Sequence, residues 1–189
     1  MKKNSPKKKK AKQQISADQQ SRLQVYFSSM LAELYWGEQT FLDVLDTMSE
    51  TSTSPELKDA FSQHRVQTRE HVERLERVFA AMGMPAEPRQ SIGLQGLFDE
   101  GWRVIDKAPT GSAERDVTLI IAAQKVEHYE IATYGSLVSL ARTLKLDDVA
   151  AIQEDTLAEE DEADALLTEI AEAHINYEAS QEPAGQVAG

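Results

Sequence analysis

Leu119-Ile-Ile-Ala-Ala-Gln-Lys-Val-Glu-His-Tyr-Glu-Ile-Ala-Thr-Tyr-Gly-Ser-Leu-Val-Ser-Leu-Ala-Arg142 reads as one long helix with an anomaly at its centre. Leu119, Ala123, Tyr134 and Leu137 recur at helical spacing, so they form one apolar row. Glu127 and Glu130 fall on that same row, three residues apart and therefore neighbours on the helix surface. A carboxylate buried without a partner loses its hydration uncompensated. The pattern repeats outward along the chain. Glu38 stands between Leu31, Leu34 and Leu42, Leu45, and His64 and His71 stand between Phe61 and Leu75, Val78. Glu160 and Asp164 lie between Ile152, Leu157 and Leu167, Ile170. Four apolar stripes, each interrupted by acid or imidazole, point to helices that face either something cationic or a set of shared protons.

The punctuation between these stripes sets the fold. A first long helix is expected from about 17 to 49, ended by Thr51-Ser-Thr-Ser-Pro55. Ser54-Pro55-Glu56 starts the second, with a capping hydroxyl followed by proline at the first helical position. This helix should reach Met82, where Gly83, Pro85 and Pro88 stop it. Residues 92–107 form a shorter amphipathic element, expected to close one end of a bundle. After the break at Pro109, Gly111 and Ser112, a third long helix should run from Ala113 to Leu144, and a fourth from Asp147 until it fades after His174. The expected architecture is all-α: a four-helix bundle of two hairpins, with an extra short helix in the long crossover between the second and third helices. The expected limits are a basic arm over 1–17, the bundle over 18–175 and a loose tail over 176–189. From Glu38 to His71 and from Glu127 to Glu160 the offset is the same, 33 positions. Either an internal duplication or two hairpins of equal length accounts for it.

Composition narrows the chemistry. The chain of 189 residues contains no cysteine, which removes disulfides, thiolate catalysis and thiolate-held metals, and fits a reducing cytoplasm. No apolar run approaches a membrane span, and the lysine-rich start lacks the apolar stretch of a secretory signal. The net charge is −12, yet seven of the twenty Lys and Arg residues fall in the first twelve positions, so the remainder is more acidic still. Such a body repels nucleic acid and attracts cations. Nucleic-acid contact is expected only through the arm, whose plainer reading is a solvated tail.

If the four stripes converge, Glu38, Glu127, Glu130, Glu160 and Asp164 meet His71, with His64 and Thr68 on the same face of the second helix. Five anions at one level cannot all ionise without compensation. Two divalent cations would supply it, and facing helices commonly carry such ligands. Each residue alone has a plainer reading. Glu38 could pair with an arginine, His71 could be a hydrogen-bonded core imidazole, and Asp164 could pair with Arg74. Glu127 with Glu130 is the hardest pair to satisfy by ordinary partners. Glu33, His128 and His174 are expected off the stripes.

At these residues the chain resembles the YciE/YciF-type ferritin-like proteins, bacterial stress-associated proteins of poorly defined activity. The resemblance is carried by Glu33-Leu-Tyr-Trp-Gly-Glu38-Gln, Ser54-Pro-Glu-Leu-Lys-Asp-Ala-Phe61, His64 with Thr68, and Arg74-Leu-Glu76. It continues through Gly96-Leu, Glu100-Gly101, the distinctive Val126-Glu-His-Tyr-Glu-Ile-Ala-Thr-Tyr-Gly135, Thr156-Leu-Ala-Glu-Glu160 and Asp164, covering about residues 20–172. It implies a ferritin-like bundle, a homodimer, and a dinuclear centre of iron, or else manganese or zinc, at Glu38, His71, Glu127, Glu130, Glu160 and Asp164. The chain also departs from the ferritin-like pattern. Where di-iron bundles carry Glu-x-x-His on the second and fourth helices, this sequence has Thr68-x-x-His71 and Glu160-x-x-Ala163. Ferroxidase or peroxidase chemistry does not come with the resemblance. Two functions follow as expectations: a metal-binding protein with a role in stress response, or a non-enzymatic helical dimer whose core acids share protons and water.

Overall fold

The computed structural model describes residues 21–183, so the basic arm and the last residues of the tail lie outside it. The elements are α1 (Arg22–Thr51), α2 (Pro55–Met82), α3 (Ile92–Lys107), α4 (Ala113–Thr143) and α5 (Asp147–Ile170). A π-helical turn over Ala171–Ile175 and a last short helix α6 (Asn176–Gln181) follow directly. None of these helices is long and apolar enough to cross a membrane.

Local chemistry fixes the helix ends. The Ser21 hydroxyl accepts from the Gln24 amide while the Gln24 side chain accepts from the Ser21 amide, a reciprocal cap on α1. Ser54 caps α2 with Pro55 behind it, and Gly83 closes that helix at φ 71°, a left-handed conformation that glycine adopts without strain. Ser112 caps α4. Two acids then make tertiary contacts at the helix ends. Buried Asp116 on α4 accepts the Thr53 and Ser54 amides, each at 2.7 Å, and so holds the α1–α2 turn. Glu182 accepts the Ala113 and Glu114 amides at 2.8 and 3.0 Å. That contact carries ordered helix past the expected limit at 175. A capping role for a residue so close to the tail leaves no trace in hydrophobic periodicity.

α1 pairs with α2 and α4 with α5; the hairpins then close face to face, α2 against α5 and α1 against α4. The fold is thus the ferritin-like four-helix bundle with a crossover helix. Its core is split in two. One apolar cluster includes Phe41, Leu45, Phe61, Phe98, Leu119 and Leu167. The other includes Phe27, Leu31, Leu75, Phe79, Tyr134 and Leu137. Between them, at mid-height, lie the buried acids and imidazoles. In α1 the residue facing the core beyond Glu38 is Phe41, not Leu42, which is only half-buried.

α3 lies along the flank of the bundle over α4 and α1, a correction to its expected place across one end. Leu94 and Phe98 enter the core, and Phe98 stacks on Phe41 with ring centroids 5.9 Å apart. The approach needs a bare backbone at Gly37, where an added Cβ would lie 2.2 Å from Leu94 Cδ1. Gly37→Ala is therefore expected to destabilise the protein by about 1–2 kcal/mol, because overpacking outweighs the helix propensity alanine adds. The same substitution in a Leu94→Ala background should be neutral or stabilising. Thermal melts of the four proteins of this cycle check it, and an equal penalty in both backgrounds would refute the contact.

Candidate metal centre

Six side chains from four helices form the polar layer: Glu38 on α1, His64 and His71 on α2, Glu127 and Glu130 on α4, and Glu160 on α5. The four carboxylates and His71 have no exposed surface, and His64 has 6%. They sort into two groups that share Glu160. His71 Nδ1 lies 3.5 Å from Glu38 Oε2 and 3.1 Å from Glu160 Oε1. His64 Nε2 lies 3.2 Å from Glu127 Oε1 and 3.6 Å from Glu160 Oε2. Each group offers one nitrogen and two carboxylate oxygens within 4.8 Å of one another, a spacing that a single ion can span. Glu130 belongs to neither group. It sits near Gly37, its Oε1 3.8 Å from where a Cβ there would be, and both its oxygens are buried without a partner.

Surrounding residues set the orientation of this layer. Glu159 accepts a hydrogen bond from His71 Nε2 at 2.8 Å and is itself gripped by both terminal nitrogens of Arg74. A carboxylate can only accept, so His71 Nε2 carries a proton toward Glu159, and Nδ1 faces Glu38 and Glu160. His64 Nδ1 donates to Gln67 Oε1 at 3.3 Å, which turns its Nε2 toward Glu127 and Glu160 in the same way. Such outer contacts are what fix ligand imidazoles in metal sites. The buried Tyr134 hydroxyl donates to Glu38 Oε1. Thr68 is also buried, but its hydroxyl donates to the His64 carbonyl and takes no part in the layer.

The electrostatics follow from burial and crowding. Burial and the charges of Glu38, Glu160 and Glu127 push Glu130 well above the carboxylate range. Burial raises Glu160 to about 8, with the Glu127 and Glu38 charges adding to it against the pull of His71. Burial alone would lower both imidazoles. Glu127 and Glu160 outweigh it at His64, which rises to about 9. Glu38 and Glu160 do so at His71, which rises to about 11. Arg74 holds Glu159 below its ordinary value.

Of the residues expected at the centre, Glu38, His71, Glu127, Glu130 and Glu160 share the layer and Asp164 does not. Asp164 is half-buried on the α4 side of α5, accepting from Gln124 Nε2 at 3.1 Å and 3.2 Å from His128 Nδ1. The inward row of α5 is Val149, Gln153, Thr156, Glu160, Ala163 and Leu167, which turns Asp164 to the flank. Ile152 and Leu157, which suggested another row, are only half-buried. Arg74 pairs with Glu159, not Asp164. Glu159 could have been found from Arg74 itself: an arginine one turn beyond His71 calls for an acid across the α2–α5 seam.

Fold and layer together define a class: a helical bundle with a crossover helix and a carboxylate–imidazole layer at mid-height. The chain belongs to the family described as a domain of unknown function, DUF892, which matches residues 22–180. It is 32% identical over 154 residues to Protein YciF of Escherichia coli (strain K12), across 81% of this chain and 92% of that one. The crystal structure of the E. coli stress protein YciF superposes with a TM-score of 0.78 at 31% identity, covering 83% of this chain and 99% of that chain. YcfI from Rhodopseudomonas palustris gives 0.76 at 29% identity, over 82% and 97%. The resemblance read from the sequence holds.

Glu160, His64 and His71 all bind their protons more tightly in the folded chain than at their ordinary values of 4.5, 6.5 and 6.5. The folded state therefore holds more protons than the unfolded one, and stability must fall as pH rises from those values toward 8, 9 and 11. Metal-free protein in chelator is expected to melt at a lower temperature at pH 9 than at pH 6, with a shallower decline in Glu160→Gln. A melting temperature that is flat or rising over this interval would contradict the assigned proton positions.

Proposed function

We propose that this protein binds two divalent cations in the layer between its two apolar clusters, as a dinuclear carboxylate centre. The observation that supports the reading is that nine of the ten buried side-chain nitrogen and oxygen atoms without a hydrogen bond, among the described residues, come from this layer; the tenth is Gln153 Nε2. The nine are Glu38 Oε2, His64 Nε2, His71 Nδ1 and both oxygens of Glu127, Glu130 and Glu160. Buried polar atoms are nearly always paired, so a cluster of orphans asks for a missing partner. Glu38, His71 and Glu160 would hold one ion, and His64, Glu127 and Glu160 the other. Glu160 turns one oxygen toward each group and would serve both, and Glu130 would complete the layer. Oxygen and imidazole donors without thiolate suit iron, manganese or zinc. Iron is our assignment, because the family resemblance implies it. Two divalent ions also balance four carboxylates while both imidazoles stay neutral. Bound ions would supply Lewis acidity and, for iron or manganese, redox capacity. The residues of the chain orient and shield: Tyr134 steadies Glu38, and Arg74 with Glu159 steadies His71. We place the protein in a stress response because its E. coli relative is described as a stress protein.

One observation favours a second reading, a metal-free bundle with shared core protons. Burial and crowding favour protons on Glu130 and Glu160, and the acids beside them favour charged imidazoles, so protons also offset the crowding of the layer. Metal stoichiometry separates the two. After anaerobic reconstitution with iron(II) or manganese(II) and removal of excess, elemental analysis should find two ions per chain. His64→Ala and His71→Ala should each retain one, and Glu160→Ala should lose most of both. Saturating metal should raise stability by about 3 kcal/mol per site, so about 5 kcal/mol for two independent sites, at a hundredfold excess over Kd. Absence of bound metal, together with Glu127→Gln/Glu160→Gln melting at or above the wild-type temperature, would establish the proton-sharing bundle instead.

A further inference from the structure

The two groups differ in access. Behind Glu38 and His71, Tyr134, Arg74 and Glu159 close the layer, and Leu94 packs over Gly37 on the α3 side. Between α2 and α5, by contrast, a pocket of about 270 Å³ reaches in from the surface to His64 and Glu127. Its inner wall is Phe61, Ala163 and Leu167, all buried, and its rim is Gln63, Glu162 and Leu166, all exposed. Ala163 lies one turn beyond Glu160 on the inward row of α5, and its small side chain leaves this space open. The unpartnered His64 Nε2 and both unpartnered Glu127 oxygens stand at the inner end. From the rim a shallow groove continues between the helices past Asp59, Glu56 and Glu169, with His174 the one basic residue lining it among the described residues. Acidic side chains thus border the path from solvent to the buried donors.

Resting on the metal-binding reading, we propose that the α2–α5 pocket is the port by which divalent cations enter. The position held by His64, Glu127 and Glu160 fills first and exchanges. The position held by Glu38, His71 and Glu160 lies behind it and keeps its ion. The acidic side chains along the groove would draw in a hydrated cation. It meets His64 and Glu127 before it can reach Glu38. Glu160, with one oxygen toward each group, is the bridge over which the first ion passes inward.

The test mixes metal-free full-length protein with cobalt(II) and follows uptake by visible absorbance, then follows release into excess chelator. Ala163→Leu narrows the inner wall. Leu166→Trp and Gln63→Trp obstruct the exposed rim, where folding is not at stake. All three should load more slowly than wild type, with the rim variants reaching the same end point of two ions. Glu162→Lys should slow uptake about tenfold at low salt, less as salt rises. Release should be biphasic, and the fast phase should vanish in His64→Ala. The port is overturned if the rim variants load at the wild-type rate, if Arg74→Ala, which uncovers the His71 side, loads faster than wild type, or if the fast release phase disappears in His71→Ala instead. Two ions bound with unchanged rates sink the port alone. No ion bound at equilibrium sinks the metal reading together with it.

Discussion

Four carboxylates at one level of a dry helical core cannot all carry charge without something positive among them, and the rest of this molecule is arranged around that constraint. Breaking a buried ion pair typically costs about 3–5 kcal/mol, and an unsatisfied buried polar group about 1–3. A layer with six such residues would outweigh the net stability of a domain unless compensated. The compensation is positional. Both imidazoles come from α2 and face acids from the three other long helices, so no long helix can rotate or slide without separating opposite charges. The apolar clusters on either side exclude water and make each misplaced charge expensive. Asp116, remote from the layer, holds the two hairpins together, and Glu182 fastens the end of the second hairpin to the start of α4.

Two kinds of compensation suit this layer, protons and cations. Burial and crowding favour the protonated forms of Glu130 and Glu160, and the acids around them favour protonated imidazoles. On the metal-binding reading, divalent ions would take the place of those protons. On that same reading, ion binding would be coupled to pH, because every ligand proton competes with the metal.

The sequence shows this layer through one signal, the interruption of apolar stripes, and that signal is only as sharp as the stripe is narrow. On α4 it is sharp: Glu127 and Glu130 lie squarely between Ala123 and Tyr134, and all four are buried. On α5 it is blurred. Ile152 and Leu157 are apolar but sit at the edge, while Gln153 and Thr156 are polar and face inward, so Asp164 looks as central as Glu160. On α1 the step from Glu38 could go three residues to Phe41 or four to Leu42; packing against Phe98 selects Phe41. The seat of α3 was hidden for a different reason. Periodicity shows that a helix is amphipathic but not where it docks, and here Gly37 and Leu94 decide that through a pairwise fit.

His64 and Ala163 belong to one structural trade. In the ferritin-like pattern the second nitrogen comes from the fourth long helix, three residues beyond its glutamate; here that position is Ala163. On the metal-binding reading the second nitrogen would come instead from His64, two turns before His71 on α2, with their rings 6.2 Å apart. Moving an imidazole from α5 to α2 keeps the donor count but not the shape. The volume that a side chain at 163 would fill becomes the pocket, and the relocated ring stands at its inner end. The layer thereby acquires a front and a back. On the α2–α5 side the donors His64 and Glu127 are one small side chain from solvent; at the back Glu38 and His71 are closed in by Tyr134, Arg74 and Glu159. A symmetric donor set would give two equivalent positions, whereas a single alanine on the inward row of α5 makes these two unlike.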